Sequence, residues 1–306
     1  MTKIQEIKAE LNAIDTQMYT DKKEKIYVRQ FGSFLDNNSP LPSNQDLLAE
    51  AARQHVKLTP TTITKQLFKD VNLKLDEEDE ALDKRPINRR VMFVAENSAV
   101  RTDGKGDNKT FDNFTMFHDT DRPTNTFKLY AQVNDRRLQD AYITDAIKNK
   151  SESDSQKLKA AFLIAGPKTI TLANWQQHQA AAIRVLMRSY AGVGAAAATE
   201  DEAVARLTAN AETFAKSACI FAQECAVIEP KQLVVFGQDA ATVLRQMKPF
   251  FSGNTQLTAL IDELKVVRHY ATIGNFANWV ATQNVELLRK LGLDPSQNQP
   301  FEPLKR

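Results

Sequence analysis

Four short apolar runs, each closed by polar residues, constrain this chain more than any other feature. They occupy residues 90–98 (Arg-Val-Met-Phe-Val-Ala-Glu-Asn-Ser), 141–145 (Ala-Tyr-Ile-Thr-Asp), 231–238 (Lys-Gln-Leu-Val-Val-Phe-Gly-Gln) and 265–271 (Lys-Val-Val-Arg-His-Tyr-Ala). Unbroken β-branched and aromatic runs of this length, separated by long helical patterns, read as central strands of a mostly parallel sheet. The expected fold is a three-layer α/β/α sandwich around a mostly parallel four-stranded sheet, with a helical N-terminal extension. In open α/β sheets the ligand crevice lies at the carboxyl ends of the strands. That rule draws Glu96, Asn97, Asp145 and His269 toward one place.

With 306 residues the chain can bury a large core. At 42% hydrophobic and 25% charged it has the composition of a folded protein. The net charge of +2 excludes a polybasic coat but allows a local basic groove. No Cys/His cluster has metal-ligand spacing, so no metal is expected. Cys219 and Cys225 fall on different faces of one helical pattern and fit buried, reduced thiols. No apolar stretch reaches membrane-spanning length, and the first residues lack a signal peptide's apolar centre. A cytoplasmic protein without a membrane partner is the expectation.

Residues 1–58 read as a helical extension, 59–292 as the α/β domain with a helical insertion at about 151–210, and 293–306 as a flexible tail. Thr59 and Pro60 predict a helix start that runs to about Val71, with the threonine as cap. Further helices are expected over 127–140, 172–190, 200–228 and 276–291. Residues 158–164 are apolar and fit either a helix or a strand. Residues 101–126 follow the first strand with many Asp, Asn, Thr and Gly residues, and a loop of that length there suggests function.

The order of these parts resembles the uracil-DNA glycosylase superfamily over about residues 60–292. Val94-Ala-Glu-Asn-Ser98 stands where that family has its first catalytic loop, Gly-X-(Asp/Asn/Ala)-Pro. Tyr142-Ile-Thr-Asp-Ala-Ile-Lys148 is similar to the family's Tyr-Ile-Thr-Asn strand end. Glu224, followed by Glu229-Pro-Lys-Gln-Leu-Val-Val-Phe-Gly-Gln-Asp-Ala240, resembles the third landmark. Val267-Arg-His-Tyr-Ala271 takes the place of the final His-Pro-(Ser/Ala). Arg122-Pro-Thr-Asn-Thr-Phe127 looks like a Pro-X-Asn-X-Phe segment of the mismatch-type thymine/uracil members. Departures fall within the motifs: Ala95 replaces a glycine, Ser98 a proline, and Tyr270 follows the histidine.

The resemblance implies a monofunctional DNA glycosylase that needs no cofactor and acts on a pyrimidine flipped out of DNA. Asn97 takes the water-positioning place with Glu96 beside it, and His269 stabilises the departing base. No lysine is placed by motif as a Schiff-base nucleophile. Phe117, and after it Phe114, are the candidates to stack on the flipped base, with Phe111 in the same loop; Phe127 is expected in the core. Arg101, Lys105 and Lys109 are candidate phosphate contacts, and Ile273 a candidate wedge for the vacated stack. His118 adjoins the same loop.

Asp145 departs most in chemistry. The family's asparagine donates to O4 of uracil and accepts from N3–H, whereas an ionised aspartate only accepts. It suits a cytosine-type edge, above all when protonated toward N3. Two structural alternatives stand beside that reading: Asp145 caps a helix over 146–150, or it pairs with Lys148. The competing function is a catalytically inactive glycosylase-like module that binds DNA or a protein.

Overall fold

The computed structural model describes residues 2–20, 22–37, 39, 41–75, 80–97, 113–118, 123–148, 155–164, 166–191 and 199–302. The four apolar runs become β2 (Asn88–Asn97), β3 (Ala141–Ile147), β4 (Leu233–Phe236) and β5 (Lys265–Val267), parallel in the order β3-β2-β4-β5. A fifth strand, β1 (Gly32–Phe34), pairs antiparallel with β3 at the edge. It lies inside a stretch that reads as helical in sequence. Gly32 is required there because any Cβ would collide with the Tyr142 phenol on the neighbouring strand.

Helices cover both faces, as continuous apolar strands require. On one face α1 (Ile4–Ala13), α4 (Ser155–Ala161), α5 (Gln179–Ala191), α6 (Glu200–Ile228), α7 (Gln238–Met247) and α8 (Thr255–Asp262) share a core with Met92, Val94, Tyr142 and Val235. On the other, α2 (Asn44–Arg53), α3 (Pro123–Val133) and α9 (Phe276–Lys290) pack with Phe93, Ala95, Ile143 and Phe236. The alternation of strand residues between the two cores is the period-two signature of a sheet buried on both sides.

Several expectations are revised. The N-terminal stretch read as a helical extension carries a strand, β1, as well as helices, and Ile4, Ile7 and Leu11 of α1 are fully buried in the first core. The tail is docked through Glu302: Phe301 is buried, and Gln139 bonds both the amide (2.8 Å) and the carbonyl (2.8 Å) of Glu302. Thr59 caps its helix by accepting from Thr62 N (3.1 Å), but the turns end at Leu67. Residues 158–164 start in helix, as part of α4. Cys225 is buried while Cys219 is exposed. Among the described residues no helix is long and apolar enough to cross a membrane.

The connections place the crevice. From β2 the chain leaves through α3 on one face. From β4, its neighbour, it leaves through α7 on the opposite face. The carboxyl ends of adjacent strands whose exits diverge are where open α/β sheets place their ligand crevice. Glu96 and Asn97 end β2 at that edge, and Gly237 follows β4.

Candidate active site

Asp145 is the centre of the site. It faces Ala95 across the β2–β3 pairing, on the α3/α9 side of the sheet. The residue is 1% exposed, and neither carboxyl oxygen has a hydrogen-bond partner. Both structural alternatives fail. β3 runs on to Ile147, so Asp145 caps no helix, and Lys148 pairs with Glu224 instead (2.7 Å). Burial pushes the carboxyl up to about 8; nearby Lys148 opposes this, and Glu224 and Glu96 add to it. At neutral pH the group is therefore a carboxylic acid, able to donate one hydrogen bond and accept another.

An unsatisfied buried carboxyl is costly, and the cost has a pH signature. Folded Asp145 holds a proton that the unfolded chain releases above about 4, so its contribution to stability falls as the pH rises from there toward about 8. Asp145→Asn is therefore expected to stabilise the protein, and by more at pH 8 than at pH 5. Denaturant midpoints across that range are the check; a pH-independent or destabilising effect would contradict a neutral, unpartnered acid.

Beneath Asp145 lies a polar network on the α6 side, fully buried. Tyr142 Oη (2.8 Å) and Thr144 Oγ1 (2.9 Å) both donate to Glu224 Oε1, and Lys148 Nζ donates to Thr144 Oγ1 (2.5 Å) while pairing with the same carboxylate. Ser217 on α6 accepts from Lys148 N (2.9 Å). The end of β3 is thus tied to α6, which fixes the backbone that carries Asp145. Tyr142, Thr144, Lys148 and Glu224 stand out in the sequence as landmarks, but their mutual pairing does not. The usable signal is the alternation of Tyr142, Thr144 and Ala146 against Ile143 and Asp145.

Glu96 and Asn97 end β2 and, as successive strand residues, present to opposite faces. Glu96 has a buried oxygen without a partner. Its carboxyl is pushed up to about 7 by burial and the Asp239 charge, against the pull of Lys159. Lys159 and Asp239 pair at 3.0 Å on the α4/α7 side. Asn97 lies by alternation on the Asp145 side.

His269 follows β5 and rests against Gly237, whose φ of +93° and missing side chain admit it; a Cβ there would lie 3.4 Å from the histidine Cβ. His269 Nδ1 accepts from Ala271 N (3.0 Å). The ring proton is thereby assigned to Nε2, leaving an outward N–H donor. Burial holds the imidazole down to about 4, with Asp239 pulling the other way, so the donor is neutral. Tyr270 stacks on His269 (centroids 4.5 Å) and meets Phe236 edge-on (5.3 Å); burial and the Asp145 charge push its phenol up. Its closeness to Asp145 was not anticipated.

The two candidate stacking residues separate. Phe117 is half-buried against the Asp145-side core, in a left-handed backbone conformation (φ +74°) that bulky side chains rarely adopt. Phe114 is excluded from base stacking: it is 1% exposed in the opposite core, tilted against Phe34 at 5.6 Å. Phe127 is core, as expected. His118 is buried and bonded to the Ser33 (2.8 Å) and Tyr130 (3.0 Å) hydroxyls, a structural role. Ile273 is 95% exposed at the tip of the loop after β5. Arg101, Lys105, Lys109, Phe111 and Ser98 lie outside the described residues.

The sequence-predicted residues Glu96, Asn97, Asp145 and His269 thus share the carboxyl edge of the sheet; Asp239 acts on both Glu96 and His269, Tyr270 joins His269 to Asp145, and Gly237 seats His269. The chain matches no protein-family model, no curated protein and no solved structure. Among the described residues no group of three or more His, Cys, Asp or Glu side chains is arranged to hold a metal.

Proposed function

We propose that the chain is a monofunctional DNA glycosylase that hydrolyses the N-glycosidic bond of a flipped-out pyrimidine. The observation that carries this reading is Asp145: a fully buried, unpartnered carboxyl, pushed by its burial toward the protonated form, on the same edge as a histidine donor. A buried group left without a partner needs an occasional one. A pyrimidine's 3,4-edge supplies one donor and one acceptor. The acid fits a cytosine-type edge by donating to N3 and accepting from the 4-amino group, and a uracil-type edge by accepting from N3–H and donating to O4. Burial thus widens the choice beyond the cytosine edge that an ionised aspartate favours.

In the reaction the C1′–N1 bond breaks and its electron pair leaves with the base, where the His269 Nε2–H stabilises the charge on O2. Asn97 positions the water that adds to C1′, and Glu96, on the other face of the β2 tip, takes that water's proton through a second water at the strand end. Phe117 stacks on the everted base, and Ile273 fills the gap in the duplex. Lys148 is held by Glu224, consistent with hydrolysis that leaves an abasic site instead of lyase chemistry.

The test is a panel of oligonucleotides, each with one uracil, cytosine or 5-modified cytosine, incubated with the protein and cleaved with alkali. Strand scission at the test base supports the reading; none at any base, single- or double-stranded, refutes it. Equal excision of every test base by wild type and Asp145→Leu, which offers neither donor nor acceptor, would remove Asp145 from base reading. Activity should peak between about 7 and about 8, where Glu96 is ionised and Asp145 protonated. Glu96→Gln should lose the rising limb and Asp145→Asn the falling one, each visible in single-turnover rate against pH.

One observation favours a second reading, an inactive module that binds DNA or a protein. Tyr270 stacks on the His269 ring (4.5 Å) and feels the Asp145 charge, so a base held by both residues would have to share their surroundings with a phenol. Tight binding to DNA without scission is the result that reading expects.

A further inference from the structure

Next to the Ile273 tip, two cations share one indole. Lys128 of α3 lies 5.3 Å from the Trp279 ring centroid, and the Arg268 guanidinium lies 5.5 Å from it. Trp279 is fixed in turn by its Nε1–H bond to Lys128 O (2.9 Å). The cations also hold the loop. Lys128 Nζ donates to Thr272 O (2.7 Å), Arg268 Nη2 reaches Ile273 O (3.5 Å), and Gln132 Nε2 secures Arg268 O (3.1 Å). An isoleucine that is 95% exposed is therefore presented on a braced backbone.

Neither cation has a carboxylate partner among the described residues. Burial and the Arg268 charge together lower the Lys128 ammonium from its ordinary value. Two like charges held together without a counter-ion form a standing site for an anion. Arg268 is exposed, and a single long bond to Ile273 O leaves most of its fork of donors free. Stacking on Trp279 orients that fork at little further entropic cost.

We propose that Arg268, backed by Lys128 and stacked on Trp279, is a phosphodiester-binding site that grips the nucleic-acid backbone beside the Ile273 tip. It rests on the reading of the chain as a DNA-acting protein and adds the contact that registers the strand. Phosphate contacts fix position without reading sequence, so this grip serves any base in the pocket.

The test is fluorescence anisotropy of full-length protein with a short fluorescein-labelled duplex over a range of salt. Arg268→Gln should weaken binding at low salt and flatten the log–log salt slope by about 0.9, the signature of one phosphate contact. Arg268→Lys should restore the slope but not the whole affinity. Lys231→Gln, an exposed cation at the opposite end of the sheet, should change nothing. An unchanged slope in Arg268→Gln overturns the proposal. Binding without excision of any base leaves this site standing while refuting the glycosylase, and no binding by wild type refutes both.

Discussion

Replacing His269 by alanine should slow base excision by about 10²–10³-fold, the usual loss when one preorganised donor to a developing anion is removed. The size follows from the geometry. Ala271 N occupies Nδ1, so the imidazole has one proton, on Nε2, and one direction in which to offer it. The ring is held neutral far below physiological pH, so the donor needs no prior protonation, and its contribution should not change between pH 6 and 9. His269→Gln keeps an N–H donor of similar reach and should recover part of the rate. DNA affinity should stay near wild type in both variants, because the loss appears only as charge builds on the leaving base. Single-turnover excision and anisotropy measured side by side are the check. A rate within a few-fold of wild type for His269→Ala would strip the histidine of its role.

The second large effect is on stability. Lys148→Met should cost about 3–5 kcal/mol, the range for removing one partner of a buried ion pair. Lys148 and Glu224 are both fully buried, and each is bonded to Thr144, so loss of the ammonium strands a carboxylate with only two hydroxyl donors. Converting the carboxylate to an amide in the same chain, as Lys148→Met with Glu224→Gln, should recover a large part of the loss. Urea denaturation of the two single variants and the double gives the coupling directly. A loss below about 1 kcal/mol for Lys148→Met would mean that water reaches the pair. Because the network ends one turn of pleat from Asp145, the variant should also blunt base discrimination in whatever fraction remains folded.

The fold was legible wherever hydrophobic pattern was long enough to carry it. The run at 90–98 marks a strand that begins two residues earlier and ends at Asn97, and the helix over 200–228 matches its sequence limits. What escaped was short or settled by distant partners. Three residues of β1 are too few for a period, and their place depends on a glycine beneath the Tyr142 ring. The tail reads as frayed because its anchor, Phe301, is flanked by prolines and a glutamate and falls on no apolar period. β5 ends at Val267, so His269 sits in a loop and its orientation comes from Gly237 and Ala271.

The site was legible as a set of strand tips and not as a set of contacts. Phe114 and Phe117 are chemically alike and three positions apart; only the path of the backbone decides that one is buried in the first core and the other rests half-buried against the second. The pairing of Lys148 with Glu224, which frees Asp145 from its nearest cation, joins residues on β3 and α6 that no local pattern connects.

Phe117 and Asp145 both sit uncomfortably, one by its backbone and the other by its chemistry. Selection for sturdiness alone would erase both, so a library sorted only for heat resistance and then sequenced should drift at these two positions first. The proposed base-holding residues would thereby reveal themselves to an experimenter holding no ligand, no substrate and no assay.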